Sequence, residues 1–338
     1  MYYLIGICIA LAAFFAANTA GALFAACAWR AMRGVALRRL SPCARADLIF
    51  ALRTVPTALA LATVTTLLVP AYFSYEPAET GEAVSAKLAL LALVAAAGFA
   101  LATWRCVASL INTRRIRRGL MRRAAPLDLR GSSNVAAFRV EHALPIVAVV
   151  GVLRPRLFVA SRLFDALGED EMAAALAHEL GHVAARDNLK RTVMRACRDV
   201  LPVALFARTF ERAWSVESES AADEFAARAG GTQSAISLAS ALVKIARLMP
   251  DGNAHVPRAA SLLVGDGADV AERVDRLLHF ADAHDDNEDK RARAANVCRH
   301  AATASYLIIL AASALLAAQP HVMRGLYAAL EHVVSALS

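Results

Sequence analysis

The chain has 338 residues, 58% of them apolar, and a mean hydropathy of +0.46. That apolar content is higher than an ordinary soluble enzyme carries. The formal net charge is +8, but the basic residues cluster beside apolar stretches without interleaved aromatic residues. We therefore expect contact with membrane lipids and no direct nucleic-acid binding. The six cysteines lack C-x-x-C spacing, which favours neither a disulfide framework nor a cysteine metal site.

Four apolar stretches are long enough to cross a membrane, because about 20 apolar residues span the hydrocarbon core as a helix. The predicted spans are residues 1–29, 53–75, 87–111 and 301–319. Positive charge follows the first stretch, at Arg30 and Arg33, and does not precede it. That order favours an uncleaved anchor over a signal peptide. The sequence thus predicts a multi-pass α-helical membrane protein with four transmembrane helices.

The loops between these spans differ in charge, and positively charged loops are retained in the cytoplasm. Loop 30–52 is basic and loop 76–86 is acidic. After the third span the arginines are Arg114, Arg115, Arg117, Arg118, Arg122 and Arg123. We therefore expect a bacterial cytoplasmic (inner) membrane protein whose N-terminus lies outside and whose domain 112–300 is cytoplasmic.

The domain between the third and fourth spans has a mixed pattern that predicts an α+β fold. Strands are predicted at 134–140, 146–152 and 156–160, and helices from Glu169, at 189–210 with a kink at Pro202, and at 212–229, 233–248 and 270–283. In the helix that begins at Glu169, the apolar positions predict a buried face of Met172, Leu176, Leu180 and Val183. An edge strand of such a sheet could bind an extended peptide as an added strand.

The segments that follow the domain are a charged linker, 282–293, and the short tail 320–338. Apolar residues in the tail recur at helical spacing, which predicts an amphipathic helix on the outer membrane face. His284 lies among acidic residues of the linker, a pattern more typical of a solvated linker than of a second metal site.

Residues 178–182 read His-Glu-Leu-Gly-His, an H-E-x-x-H motif. On a helix, His178 and His182 lie one turn apart on the same face and can bind one metal ion. Glu179 is turned about 100° from His178, so it is better placed to take a proton from water at the metal than to complete the ligand set. The motif predicts a hydrolytic zinc site with one Zn²⁺ per chain.

A third ligand is needed, since catalytic zinc usually takes three protein ligands. We select Glu219, which forms an i, i+4 pair with Asp223 among small residues. One carboxylate could then bind the metal while the other accepts a hydrogen bond from the ring N–H of a ligating histidine. Other acidic residues remain alternatives, namely Asp187, Glu211, Glu217 and Glu224.

The stretch 171–189 around the motif resembles the active-site helix of membrane-embedded gluzincin peptidases, above all the BlaR/MecR type, and next the HtpX and CAAX-prenyl-protease type. Residues 145–159 resemble the strand pair that precedes the motif in those families, and 271–278 resemble their late Glu-Arg-Ile/Val helix. The resemblance covers about residues 130–280. It implies a zincin-like metalloprotease domain in which His178, His182 and Glu219 bind zinc.

By the same resemblance Glu179 is the general base and Asp223 orients a ligating histidine. HtpX-type enzymes have His-Pro before the Glu-Arg helix, where this chain has 266–269. This difference favours the BlaR-like branch and leaves the oxyanion-stabilising residue unassigned, with His255 and Arg258 as candidates.

The resemblance implies an endopeptidase acting on a protein or peptide substrate, in a regulatory role on a repressor-type target. Membrane-protein quality control of the HtpX type is the alternative, and a non-catalytic signalling or scaffold protein is a third reading. The short tail leaves no room for an external sensor domain, so we expect a partner sensor, a homo-oligomer, the membrane or loop 74–86 to bring any signal. Antibiotic sensing is not supported.

Overall fold

The computed structural model describes residues 1–32, 34, 40–77, 84–128, 135–197, 204–249, 267–282, 306–309 and 311–337. Long apolar helices pack there beside a domain with one small sheet. Among these residues three helices are long and apolar enough to cross a membrane, or four if one bent pair counts as a single span.

The first group of helices contains α1 Tyr2–Met32, α2 Pro42–Thr63, α3 Val69–Tyr75 and α4 Ala86–Met121. A π-helical turn, Val64–Leu68, joins α2 to α3. Small residues allow close packing, since a Cβ atom at Gly6 would lie 2.7 Å from the ring of Tyr72. The Tyr72 hydroxyl donates to the Tyr2 carbonyl at 2.8 Å, so α1 and α3 are also joined by a hydrogen bond.

Helix α2 begins earlier than the predicted second span. The amide of Ala44 donates to the Ser41 hydroxyl at 3.3 Å, which caps the helix before Pro42, a favoured residue for the first helical turn. Part of the predicted basic loop 30–52 is thus helical. Its first turns pack in the domain, where Ile49 lies fully buried in a cluster with Met194, Phe210 and Trp214.

Two ion pairs connect the start of α2 to the domain. Lys190 Nζ lies 2.6 Å from Asp47 Oδ1, and Arg45 Nε lies 2.8 Å from Glu217 Oε2. Asp47 is 4% exposed, so its pairing replaces the hydration that it loses on folding. Sequence periodicity did not reveal this docking, because the charged residues suggested a solvated loop.

Helix α4 also runs beyond its predicted span, which ended at residue 111. Its last turns place Ile116, Leu120 and Met121 against the core of the domain. The predicted third span and the start of the predicted domain are therefore parts of one continuous helix.

The predicted fourth span corresponds to α10 Tyr306–Ala317, which is bent by 92° against the following helix. That helix, α11 Pro320–Leu337, confirms that the tail is helical. Its buried side is centred on Met323 and packs with Leu67 and Ala71, whereas Ala329 in the predicted apolar face is exposed.

The domain contains one four-stranded sheet of β1 Ala124–Leu127, β2 Ala137–Val140, β3 Val147–Val150 and β4 Arg156–Ala160, in the order β1-β2-β4-β3. The β2–β4 pair is parallel and the other two pairs are antiparallel. β1 was not predicted, because its four residues include Pro126, a residue that strands accept mainly at an edge. Residue 134 of the first predicted strand lies outside the described residues.

The helices of the domain are α5 Ser161–Ala166, α6 Glu169–Ala185, α7 Asp187–Ala196, α8 Ala204–Leu248 and α9 Gly267–Asp282. α5 was not predicted. The break between the predicted helices 212–229 and 233–248 is confirmed, because Gly230 and Gly231 within α8 have non-helical backbone angles. Pro202, the predicted kink, lies outside the described residues.

The domain core lies between the sheet and helices α6, α8 and α9. Leu157, Phe158, Leu238 and Leu242 are fully buried in it or nearly so. This core fixes α6 and α8 side by side, and the candidate site lies between these two helices.

Candidate metal centre

The N-terminus of α6, the helix that carries the motif, is stabilised by hydrogen bonds to the Glu171 carboxylate. The Gly168 amide donates to Glu171 Oε2 at 2.8 Å, and Glu171 also accepts from Ser240 at 2.6 Å. This carboxylate satisfies an amide that lacks an intrahelical partner and ties α6 to α8.

The most buried face of α6 is not the predicted apolar one. Met172, Leu176, Leu180 and Val183 are only half-buried. Alanines and the motif itself form the buried face: Ala174, Ala175, His178, Glu179, Gly181 and His182. Small side chains permit a short distance between helices, so the long apolar residues lie at the margins of the contact.

Gly181 allows α6 and α8 to approach each other closely. A Cβ atom there would lie 3.2 Å from Ala222 Cα and 3.3 Å from Phe225 Cβ. This proximity brings Glu219, on α8, opposite the two histidines of α6.

His178, His182 and Glu219 come together as predicted, and all three are buried. Their potential ligand atoms lie within 4.8 Å of one another. The two Nε2 atoms are 3.2 Å apart, while Glu219 Oε2 lies 3.5 Å from His178 Nε2 and Glu219 Oε1 lies 3.7 Å from His182 Nε2. Two imidazole nitrogens and a carboxylate facing one point suit zinc.

A carboxylate lies at the second nitrogen of each histidine. Asp223 Oδ1 is 2.9 Å from His178 Nδ1, the predicted orienting contact, although the two atoms are not aligned as in a linear hydrogen bond. Asp187 Oδ2 is 2.7 Å from His182 Nδ1 and accepts from Ser218 Oγ at 2.6 Å. A proton held on Nδ1 leaves Nε2 free to bind a metal. Asp187, an alternative ligand in the sequence, thus contacts the far side of His182.

Arg273 on α9 is a site residue that sequence reasoning did not single out. It donates to Asp223 through Nε at 2.9 Å and through a terminal nitrogen at 2.6 Å, and it lies 3.3 Å from Glu219 Oε2. The side chain is 1% exposed. The resemblance of 271–278 to a Glu-Arg helix was the one available signal, but it did not assign the arginine a contact.

Glu179 is fully buried and faces β3. Its Oε2 accepts from the Val149 amide at 3.2 Å, while Oε1 has no hydrogen-bond partner among the described residues. Burial raises the pKa of Glu179 above that of a free glutamate, although His182 and His178 oppose this shift. A carboxylate with one free oxygen and a raised pKa can accept and return a proton.

The pKa values of the other site residues are shifted because several carboxylates and histidines are buried close together. Burial would lower the pKa of His178, but Asp223 and Glu219 raise it to about 9. Burial would raise the pKa of Glu219 and of Asp223, but the histidines and Arg273 lower both. When both histidines are neutral, the site has more negatively charged carboxylates than the single positive charge of Arg273 balances. A divalent cation would offset this excess, so the donor set fits one.

The edge strand β3 borders a cavity of about 280 Å³ that is also lined by His182. Part of the outer edge of β3 is already bonded, because Asn188 Nδ2 donates to the carbonyls of Val149 and the following Gly151 at 3.0 Å each. With Glu179 on the Val149 amide, a peptide cannot pair with β3 at Val149 unless these bonds open. The predicted strand addition therefore requires a change at this edge.

The remaining predicted candidates lie away from the three ligand atoms or outside the description. Glu217 pairs with Arg45, and Glu224 pairs with Arg228 at 2.7 Å. Glu211 does not belong to the described metal-competent group. His255, Arg258 and His284 lie outside the described residues.

The small sheet, the H-E-x-x-H helix and the buried histidine–histidine–glutamate group together fit the class of metallopeptidases. Residues 112–209 match the family model of peptidase family M48. The match covers the sheet and the motif, and it ends before Glu219. No curated protein and no solved structure matches the chain. The likeness supports the metallopeptidase family M48 without assigning a branch within it.

Proposed function

We propose that this protein is a zinc-dependent endopeptidase of a bacterial inner membrane that cleaves a protein substrate on the cytoplasmic side. The observation that carries the proposal is the buried group of His178, His182 and Glu219 with Glu179 beside it. The positions of the arginine-rich segments support the orientation. A repressor-type target and a quality-control role both fit this chemistry.

His178, His182 and Glu219 would hold the zinc ion. When bound, zinc supplies Lewis acidity that makes water a stronger acid and polarises a carbonyl group. Glu179 would accept the proton from water as it attacks the scissile carbonyl, and would then donate it to the leaving amine. Asp223 and Asp187 would hold the two imidazoles in place through their Nδ1 atoms.

The direct test of the metal site is the metal content of the protein purified in detergent. We expect one zinc per chain, and casein cleavage that stops with a chelator and returns with added zinc. Glu219→Ala should lose the metal, because two histidines alone bind zinc weakly. Glu217→Ala and Glu224→Ala are matched controls that should keep it. Zinc retained by Glu219→Ala but lost by a control would assign the third ligand elsewhere.

Asp187→Asn should weaken zinc binding by about 10- to 100-fold, the usual effect of removing a carboxylate that orients a ligating histidine. Competition with a zinc-chelating dye would measure this affinity. Asp170→Asn, an exposed change in the first turn of α6, is the control. Equal affinities of Asp187→Asn and the parent would show that Asp187 does not orient His182.

A further inference from the structure

A second cavity, of about 40 Å³, lies between α4, β3 and α7. Its polar lining consists of two arginines, three hydroxyls and one amide: Arg191, Arg195, Ser109, Thr113, Thr192 and Asn188. None of the residues that line it is acidic. Asn188, Thr113 and Thr192 already donate to backbone carbonyls, so the two arginines and the Ser109 hydroxyl are the groups that can bind an anion.

Arg191 and Arg195 both line this cavity, and Arg195 already donates to Ser109 Oγ at 3.3 Å. The Arg191 guanidinium lies over the ring of Trp214, 5.5 Å from the centroid, and makes no salt bridge with any described carboxylate. Burial lowers the pKa of Arg191, although Glu219, Asp187 and Glu211 oppose this shift. A guanidinium stacked on a ring keeps its in-plane N–H groups available, and a carboxylate can accept from two of them.

The second cavity adjoins the one that contains His182. Val149, Gly151 and Asn188 line both, so the two spaces are neighbours. An extended peptide advances about 3.3 Å per residue, so a few residues would connect them. The small space has room for about as much as two or three water molecules, enough for a carboxylate group.

We propose that the cavity between α4, β3 and α7 binds a carboxylate of the peptide substrate, with Arg191 as its principal partner. The proposal rests on the proposed peptidase function and adds a specificity determinant to it. The carboxylate is either the C-terminus of the chain or an aspartate or glutamate side chain. An anionic lipid headgroup is the competing occupant, since Ser109 and Thr113 belong to α4, a helix long and apolar enough to cross a membrane.

The test uses quenched fluorescent peptides of one sequence with a free C-terminal carboxylate or a carboxamide. A further set of carboxamides carries one glutamate at successive positions. We expect kcat/KM to be at least about 10-fold higher for one carboxylate-bearing form, mainly through KM. Arg191→Gln should reduce that preference to about 2-fold or less. Arg247→Gln, which removes an exposed charge at the end of α8, away from the residues that line both cavities, should preserve it.

A binding assay separates this proposal from the peptidase function. Fluorescein-labelled peptides are titrated against zinc-loaded Glu179→Gln, with and without Arg191→Gln. If the parent cleaves no peptide, the proposed function fails, yet tighter Arg191-dependent binding of a carboxylate peptide would still support the subsite. Equal binding of all forms would overturn it. Loss of the preference in phosphatidylglycerol nanodiscs, but not in phosphatidylcholine nanodiscs, would instead assign the cavity to an anionic lipid headgroup.

Discussion

Glu179→Gln should lower kcat for peptide cleavage by about 10²- to 10⁴-fold or more, the range that a general acid–base contributes. The amide keeps the shape of the side chain but cannot accept a proton from water. The metal should remain at one zinc per chain, because Glu179 lies outside the His178, His182 and Glu219 group. The measurement is cleavage of casein or a fluorescent peptide beside metal analysis of the same preparation.

Stability provides a second readout for this variant. Glu179 is fully buried, and its Oε1 has no described partner, so replacing it by a neutral amide should leave the unfolding temperature equal or higher. Glu169→Gln removes the same charge from an exposed position on α6 and should change neither activity nor zinc content. Unchanged activity in Glu179→Gln would contradict the catalytic proposal. Absence of cleavage in both the variant and the parent would favour the non-catalytic scaffold reading.

The sequence predicted that the candidate ligands lie together, because helical spacing places them on facing sides of two helices. His178 and His182 share a face by the i, i+4 rule, and Glu219 with Asp223 follows the same rule on another helix. The structure brings these four residues together. The spacing within each helix was therefore sufficient to select these residues. The H-E-x-x-H motif supplied the further expectation that the two helices lie side by side.

Residues whose roles depend on tertiary contacts could not be predicted in this way. Asp187 follows a left-handed residue, Arg186, whose φ of 56° ends α6 and turns Asp187 back towards His182. Arg273 is distant in sequence from Asp223, and nothing in helical spacing relates them. Both contacts arise from how helices pack, which single-sequence periodicity does not encode.

The boundaries of the membrane helices were predicted less well for a related reason. Hydropathy detects where lipid can surround a helix, but a helix continues wherever its backbone bonds and side-chain contacts are satisfied. The first turns of α2 carry Arg45 and Asp47, which form ion pairs with residues of the domain. The charged residues therefore mark where the apolar stretch ends in the sequence, whereas the helix continues through them.

Arg273→Met should produce the largest loss of stability, about 3–5 kcal/mol, because it leaves buried carboxylates without their cation. Methionine roughly preserves the volume of the side chain, so the loss reports charge more than packing. In a domain of this size about 1 kcal/mol corresponds to roughly 2–4 °C of unfolding temperature. Scanning fluorimetry of the metal-free protein in detergent is the measurement, since a bound cation would partly replace the lost charge.

Two comparisons separate this effect from a general loss of arginine. Arg228→Met breaks the half-buried i, i+4 pair with Glu224 on α8 and should cost less than about 1 kcal/mol, as ion pairs within one helix do. Adding Asp223→Leu to Arg273→Met removes both partners of the buried pair, so the double variant should lose less than the sum of the two single losses. Strict additivity, or equal losses in Arg273→Met and Arg228→Met, would show that the guanidinium does not compensate the carboxylates of the site. A positive coupling would identify α9 as the element that holds Asp223, and through it His178, against the electrostatic repulsion of four buried carboxylates.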